Sequence, residues 1–119
     1  MLINLSNHPS ATWQKDQIEA AAVYGEVIDI PFPDVDPNGD DAYIQSLCNE
    51  YLEKILQIMQ GKQGTVHVMG EITFTHNIVN ALQAKGVNCI ASTTQRVVTE
   101  TGNGVKETLF MFSRFRKYL

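Results

Sequence analysis

Two short polar clusters and one glycine-led loop hold most of the chemistry in this sequence. Ser6-Asn7-His8 places a hydroxyl, an amide and an imidazole side by side, with Pro9 directly after. A histidine among such donors suits phosphate contact or general acid–base work. The same residues also serve simply to turn a chain ahead of a proline. Ser92-Thr93-Thr94 supplies hydroxyls in succession, and Arg96 follows Thr94 on the same side of an extended chain. Hydroxyls with a planar guanidinium fit a phosphodiester, although threonine is equally an ordinary strand residue. Gly70-Glu71-Ile72-Thr73 lies between the clusters. A glycine there lets a ligand approach the main chain, and amides opening a helix form an anion site. Glu71 opposes an anion unless it faces a ribose hydroxyl or a partner's arginine; as a first-turn acid or capping-box member it serves the helix instead.

The remaining candidates read as structural. His67 lies inside an apolar run and is expected to be a packed core or interface histidine, while His76 suits a cap or surface role. The histidines lack ligand spacing, and Asp34, Asp36, Asp40 and Asp41 lack a full calcium-loop pattern, so no metal is predicted. Cys48 and Cys89 are too few and too far apart for a disulfide framework or a redox motif. Neither a Walker loop nor a GxGxxG fingerprint occurs, which argues against a conventional ATPase or NAD enzyme and leaves no cofactor to predict.

Distant clusters can act together only if strands carry them to one edge. Leu2 to Leu5 reads as a first strand, left through Ser6 to Pro9. Ser10 or Thr12 is placed to cap a helix with Trp13, Gln17, Ala20, Ala21 and Tyr24 near one face, stopped by Gly25. Val27 to Ile30 forms a second strand that exits stiffly through Pro31-Phe32-Pro33. Asp40 caps the longest helix, in which Ile44, Leu47, Cys48, Tyr51, Leu52, Ile55, Ile58 and Met59 keep helical spacing until Gly61. Thr65 to Met69 is a third strand. A third helix begins near Thr73 or Thr75 and turns Ile78, Val79 and Leu82 inward. Val87 to Glu100 is extended, Thr101 to Gly104 is a turn, and Val105 to Tyr118 returns as the last strand, with Arg114-Phe115-Arg116 as its solvated end.

This alternation predicts an α/β chain, a Rossmann-like three-layer sandwich forming a single domain over residues 1–119. The sheet is mostly parallel, in the order 2-1-3-4, with a C-terminal antiparallel hairpin adding the last strand beside strand four. Ligands of such sheets bind beyond the carboxyl ends of the strands, where the order reverses. Ser6, Asn7, His8, Gly70, Glu71, Thr73, Ser92, Thr93, Thr94 and Arg96 all fall toward that edge. Leu109 to Phe112 is apolar on both faces of the final strand, so a homodimer that buries the C-terminal hairpin or the face beside it is expected.

Composition narrows the partners. The chain has 119 residues, 44% hydrophobic and 18% charged, as expected of a soluble globular domain. No apolar run is long enough to span a bilayer, and the N-terminus has no export signal, so no membrane association and a cytoplasmic location are expected. The net charge of −4 argues against binding long duplex nucleic acid. The charge is uneven: residues 1–93 hold four bases and eleven acids, net −7, and residues 94–119 hold five bases and two acids, net +3.

The layout of LINLSNH, GEITFT and ASTTQR leading into a terminal hairpin resembles the small CRISPR-associated Rossmann-fold proteins, often called CARF-like. The resemblance covers nearly the whole chain as topology. It implies an antiviral-defence dimer that binds a cyclic oligoadenylate messenger across the two-fold axis, as family members do, and some stand-alone members cleave the ring as ring nucleases. Carried over, Ser6, Asn7, His8, Ser92, Thr93 and Thr94 line the ligand, with Gly70 and Glu71 on a neighbouring loop. No effector domain is appended, which leaves binding or ring cleavage as the output. In the cleaving case His8 is the acid or base and Arg96 neutralises charge. The alternative is a non-catalytic homodimeric module for nucleotide sensing or protein interaction.

Overall fold

A computed structural model describes all residues, Met1–Leu119. Five strands form one sheet: β1 (Leu2–Ser6), β2 (Val27–Pro31), β3 (Thr65–Met69), β4 (Asn88–Thr101) and β5 (Val105–Lys117), in the order β2-β1-β3-β4-β5. The first four are parallel to one another, and β4 with β5 is antiparallel. This is the expected mostly parallel, Rossmann-like sheet with its C-terminal hairpin.

Side-chain alternation divides the sheet into two unlike faces. Ile3, Leu5, Val66, Val68 and Cys89 point to the side covered by α2 (Asp41–Met59) and α3 (Ile72–Ala84), where they pack on Cys48, Ile55, Met59, Phe74, Ile78 and Leu82. Leu2 and Ile90 point the other way, against Trp13 and Ala21 at α1 (Lys15–Ala22). The sheet is thus the middle of three layers. No helix is long and apolar enough to cross a membrane.

The helices start where side chains satisfy their first amides. Asp40 accepts from the Tyr43 N–H at 2.9 Å and caps α2, as its position predicted, and Gln60 then ends the helix in the left-handed region at φ 48°. Two starts differ from expectation. Ser10 to Thr12 is a 3-10 turn rather than the head of α1, because Ser10 Oγ donates to Asp29 and Thr12 Oγ1 donates to the Pro9 carbonyl. α1 instead begins after Gln14. α3 starts at Ile72, earlier than Thr73 or Thr75, because the Glu71 carboxylate accepts from the Thr73 and Phe74 amides.

The Arg114-Phe115-Arg116 segment is also more than a solvated end. Phe115 packs its ring against Trp13, Tyr24, His67 and Phe112, closing the α1 face. Arg114 and Arg116 are exposed.

Candidate functional site

The strand order reverses between β1 and β3. The chain leaves β1 toward α1 on one face and leaves β3 toward α3 on the other, which opens a crevice at their carboxyl ends. The Asn7 amide donates to the Met69 carbonyl at 3.3 Å, and the Ser92 amide meets the Met69 sulfur at 3.2 Å. Residues far apart in sequence therefore do meet at one rim.

A buried polar line runs beneath this rim on the α1 face. Asn4 is 1% exposed and His67 is 1% exposed, and the two are register partners on β1 and β3. Asn4 Nδ2 faces only acceptors, donating to Asp29 Oδ1 at 2.8 Å and to the His8 carbonyl at 2.9 Å. That fixes Asn4 Oδ1 toward His67 Nδ1 at 2.8 Å, so this ring nitrogen carries the proton. The other, Nε2, then accepts from Ser92 Oγ at 2.6 Å. Gln17 Nε2 donates to the same hydroxyl at 3.1 Å.

The line has clear electrostatic consequences. Burial, with the nearby His8 charge adding to it, pushes His67 down to about 4, so it is neutral near pH 7. Burial alone would raise Asp29, but the hydrogen bonds from Asn4 and Ser10 outweigh it and hold the carboxyl below its ordinary value. Asn4-His67-Ser92 follows the order in which a histidine polarises a serine hydroxyl. Here Gln17 holds that hydroxyl from the other side, so Ser92 supports the wall of the crevice.

The rim loop is anchored by its main chain. The His8 carbonyl accepts from Asn4 Nδ2, from Ser6 Oγ at 3.1 Å and from Trp13 Nε1 at 3.0 Å. Ser6 is buried, and its hydroxyl also accepts from the His8 amide. Asn7 and His8 stand exposed on this fixed loop, and their side chains have no hydrogen-bond partner in the chain.

The other expected site residues are largely engaged with their own chain. Glu71 and Thr73 bond each other, with Thr73 Oγ1 donating to the carboxylate at 2.6 Å. The hydrogen bonds of Thr73 and of the Phe74 amide hold Glu71 below its ordinary value. The protein's own carboxylate therefore occupies the anion position at the start of α3. Gly70 is needed for packing, since a Cβ there would lie 2.2 Å from the Phe32 ring. Thr93 Oγ1 bonds the Arg114 main chain. Thr94 is exposed at the root of the hairpin, and Arg96 lies about 14 Å along β4 from Ser92, beyond the rim.

Two cavities flank the start of α3. One, of about 910 Å³, is bordered by Asp36, Asp40, Asp41 and Glu71 and repels anions. The other, of about 430 Å³, is lined by Met69, Gly70, Ile72, Val79 and Tyr118 among others, together with Thr75, whose Oγ1 is buried and unpartnered. It is the apolar one and adjoins the rim at Gly70.

A family model matches residues 1–116. The chain belongs to the uncharacterized protein MJ1673 family. The match takes in every helix and every strand but the last residue of β5, so the rim and the line beneath it lie wholly within the family's span. No curated protein and no solved structure matches the chain.

Sequence reasoning identified the rim and missed the line. The available signal was Asn4 and His67 at matching places in otherwise apolar strands, where a polar residue facing the core needs a partner.

Proposed function

We propose that the chain is a homodimeric, cytoplasmic antiviral-defence protein that binds a cyclic oligoadenylate messenger at the β1–β3 crevice and cleaves its ring. The observation that carries this reading is the His8 loop: an exposed imidazole and the Asn7 amide on a main chain gripped by three donors, at the reversal of the strand order. The resemblance of LINLSNH, GEITFT and ASTTQR to CARF-like proteins supplies the ligand class.

The reaction needs few parts. A ribose 2′-hydroxyl of the messenger attacks the adjacent phosphorus while His8 takes its proton. The bond from phosphorus to the 5′-oxygen breaks, and that oxygen takes a proton from water while His8 returns its own to solvent, leaving a 2′,3′-cyclic phosphate and a 5′-hydroxyl. Asn7 orients a phosphate oxygen. The groove beside Gly70, bordered by Met69, Ile72, Val79 and Tyr118 among others, suits the face of a purine.

The test is incubation of the purified chain with cyclic tetra-adenylate, with products followed by chromatography and binding by calorimetry. Linear products ending in a cyclic phosphate are expected, and His8→Ala should retain binding while losing turnover. Binding without turnover in the unaltered chain identifies the non-catalytic sensing module. A ring left intact and unbound refutes the proposal.

A further inference from the structure

The outer part of the hairpin leaves the body of the protein. Thr94 to Thr101 pairs with Phe112 to Val105 for about 25 Å beyond a bulge between Thr93 and Thr94, and its root is tied to the body by Gln14, whose Nε2 donates to the Phe110 carbonyl at 3.2 Å and whose Oε1 accepts from the Phe112 amide at 2.9 Å. The radius of gyration is 16.2 Å, against about 13.5 Å for a compact chain of this length. Val98, Val105, Leu109, Phe110 and Met111 remain exposed on this ribbon, Phe110 to 63%. Alternation puts Arg96, Val98, Glu100, Lys106 and Phe110 on one side, where Glu100 is the register partner of Lys106.

The body offers a matching surface. A groove of about 620 Å³ runs between α1 and the root of β5, lined by Asp16, Glu19, Ala20, Val23 and Phe112 among others. Val23 is 83% exposed. Arg114 also borders the groove, with its Nε spent on the Phe115 carbonyl. Asp16 and Glu19, beside apolar side chains, complement Arg96 and Phe110 of the ribbon, whose Lys106 is offset by Glu100 across the strand pair; Glu19 also pairs with the exposed Lys15 at 3.9 Å.

We propose that the ribbon is an arm whose Arg96–Phe110 side seats in the α1 groove of a second copy, with the two arms embracing reciprocally about a two-fold axis. Each protomer then gives both an arm and a groove, so the contact is made twice. This deepens the dimer of the proposed function, and it is read with no messenger present.

Native mass spectrometry and light scattering on the full chain test it. A dimer is expected, and Phe110→Glu, at an exposed position, should give monomers with an unchanged far-ultraviolet circular dichroism spectrum. Arg96→Glu should weaken association by about tenfold or more. Adding Asp16→Lys with Glu19→Lys to that variant should restore it. A monomeric unaltered chain overturns the proposal, as does a dimer indifferent to both arm variants or an Arg96→Glu defect that the α1 lysines do not repair. Failure to bind cyclic tetra-adenylate by a chain that passes these tests refutes the messenger and leaves the arm standing.

Discussion

The two faces of one sheet are built to different rules. Against α2 and α3 the strands present Ile3, Leu5, Val66 and Val68, and Phe74 stacks edge-on with Phe32 and Tyr51. Against the eight residues of α1 they present Asn4, Ser6 and His67, partnered by Ser92, Gln17 and Asp29. Apolar packing tolerates small shifts, whereas each hydrogen bond on the thin face specifies a donor, an acceptor and a distance. The thick face therefore supplies most of the stability, and the thin face fixes the His8 loop.

Removing packing on the thick face tests that division most severely. Phe74→Ala should cost about 3–5 kcal/mol, because Phe74 is fully buried and touches two other rings. Urea unfolding should show a lower midpoint at unchanged slope. A loss below that of the thin-face variants would reverse the ranking.

Mild acid tests the thin face first. Between pH about 6.5 and about 4 the unfolded chain protonates residue 67 while the folded chain refuses the proton, so stability falls as pH drops through that window. The contribution is complete above the unfolded value and declines by up to about 3 kcal/mol on the way down. Stability measured at successive pH values should lose this slope in His67→Gln. A slope that persists in the variant would place its origin elsewhere.

Asn4→Ala comes next, at about 2 kcal/mol, since it strips the acceptor from the buried His67 Nδ1 and a donor from the His8 carbonyl together. Amide hydrogen exchange should show the residue 6–13 loop opening ahead of the α2–α3 face. Glu71→Ala removes the α3 cap and should cost about 1 kcal/mol in the same unfolding assay.

How far the sequence reveals these faces depends on the range of the interactions. The α2 periodicity, the Asp40 cap and the Thr65–Met69 strand are local, and each is legible within a few residues. Strand order follows from the short crossovers. Asn4, His67 and Ser92 are joined only through register, at separations of 63 and 25 residues, and no local pattern announces them. The start of α1 was hidden for the same reason, because the Ser10 hydroxyl goes to Asp29 on another strand and not to its own helix. Glu71 shows the reverse case: its competing roles were both visible, and the structure realises the cap.

The smallest expected effect on folding is the most informative about function. Asn4, Ser6 and Trp13 all hold residue 8 by its main-chain oxygen, which His8→Ala leaves in place. The variant should stay within about 0.5 kcal/mol of the parent chain, as for an exposed side chain without partners. Because the His8 charge helps to depress His67, its removal should also make the acid-side loss of stability slightly smaller, while its onset near the unfolded value stays in place. Unfolding curves at neutral and mildly acid pH would check both. A scaffold unchanged by the substitution means that any accompanying loss of ring cleavage belongs to the imidazole; a large loss of stability would assign His8 to the thin face itself and erase the distinction between the line that positions and the rim that acts.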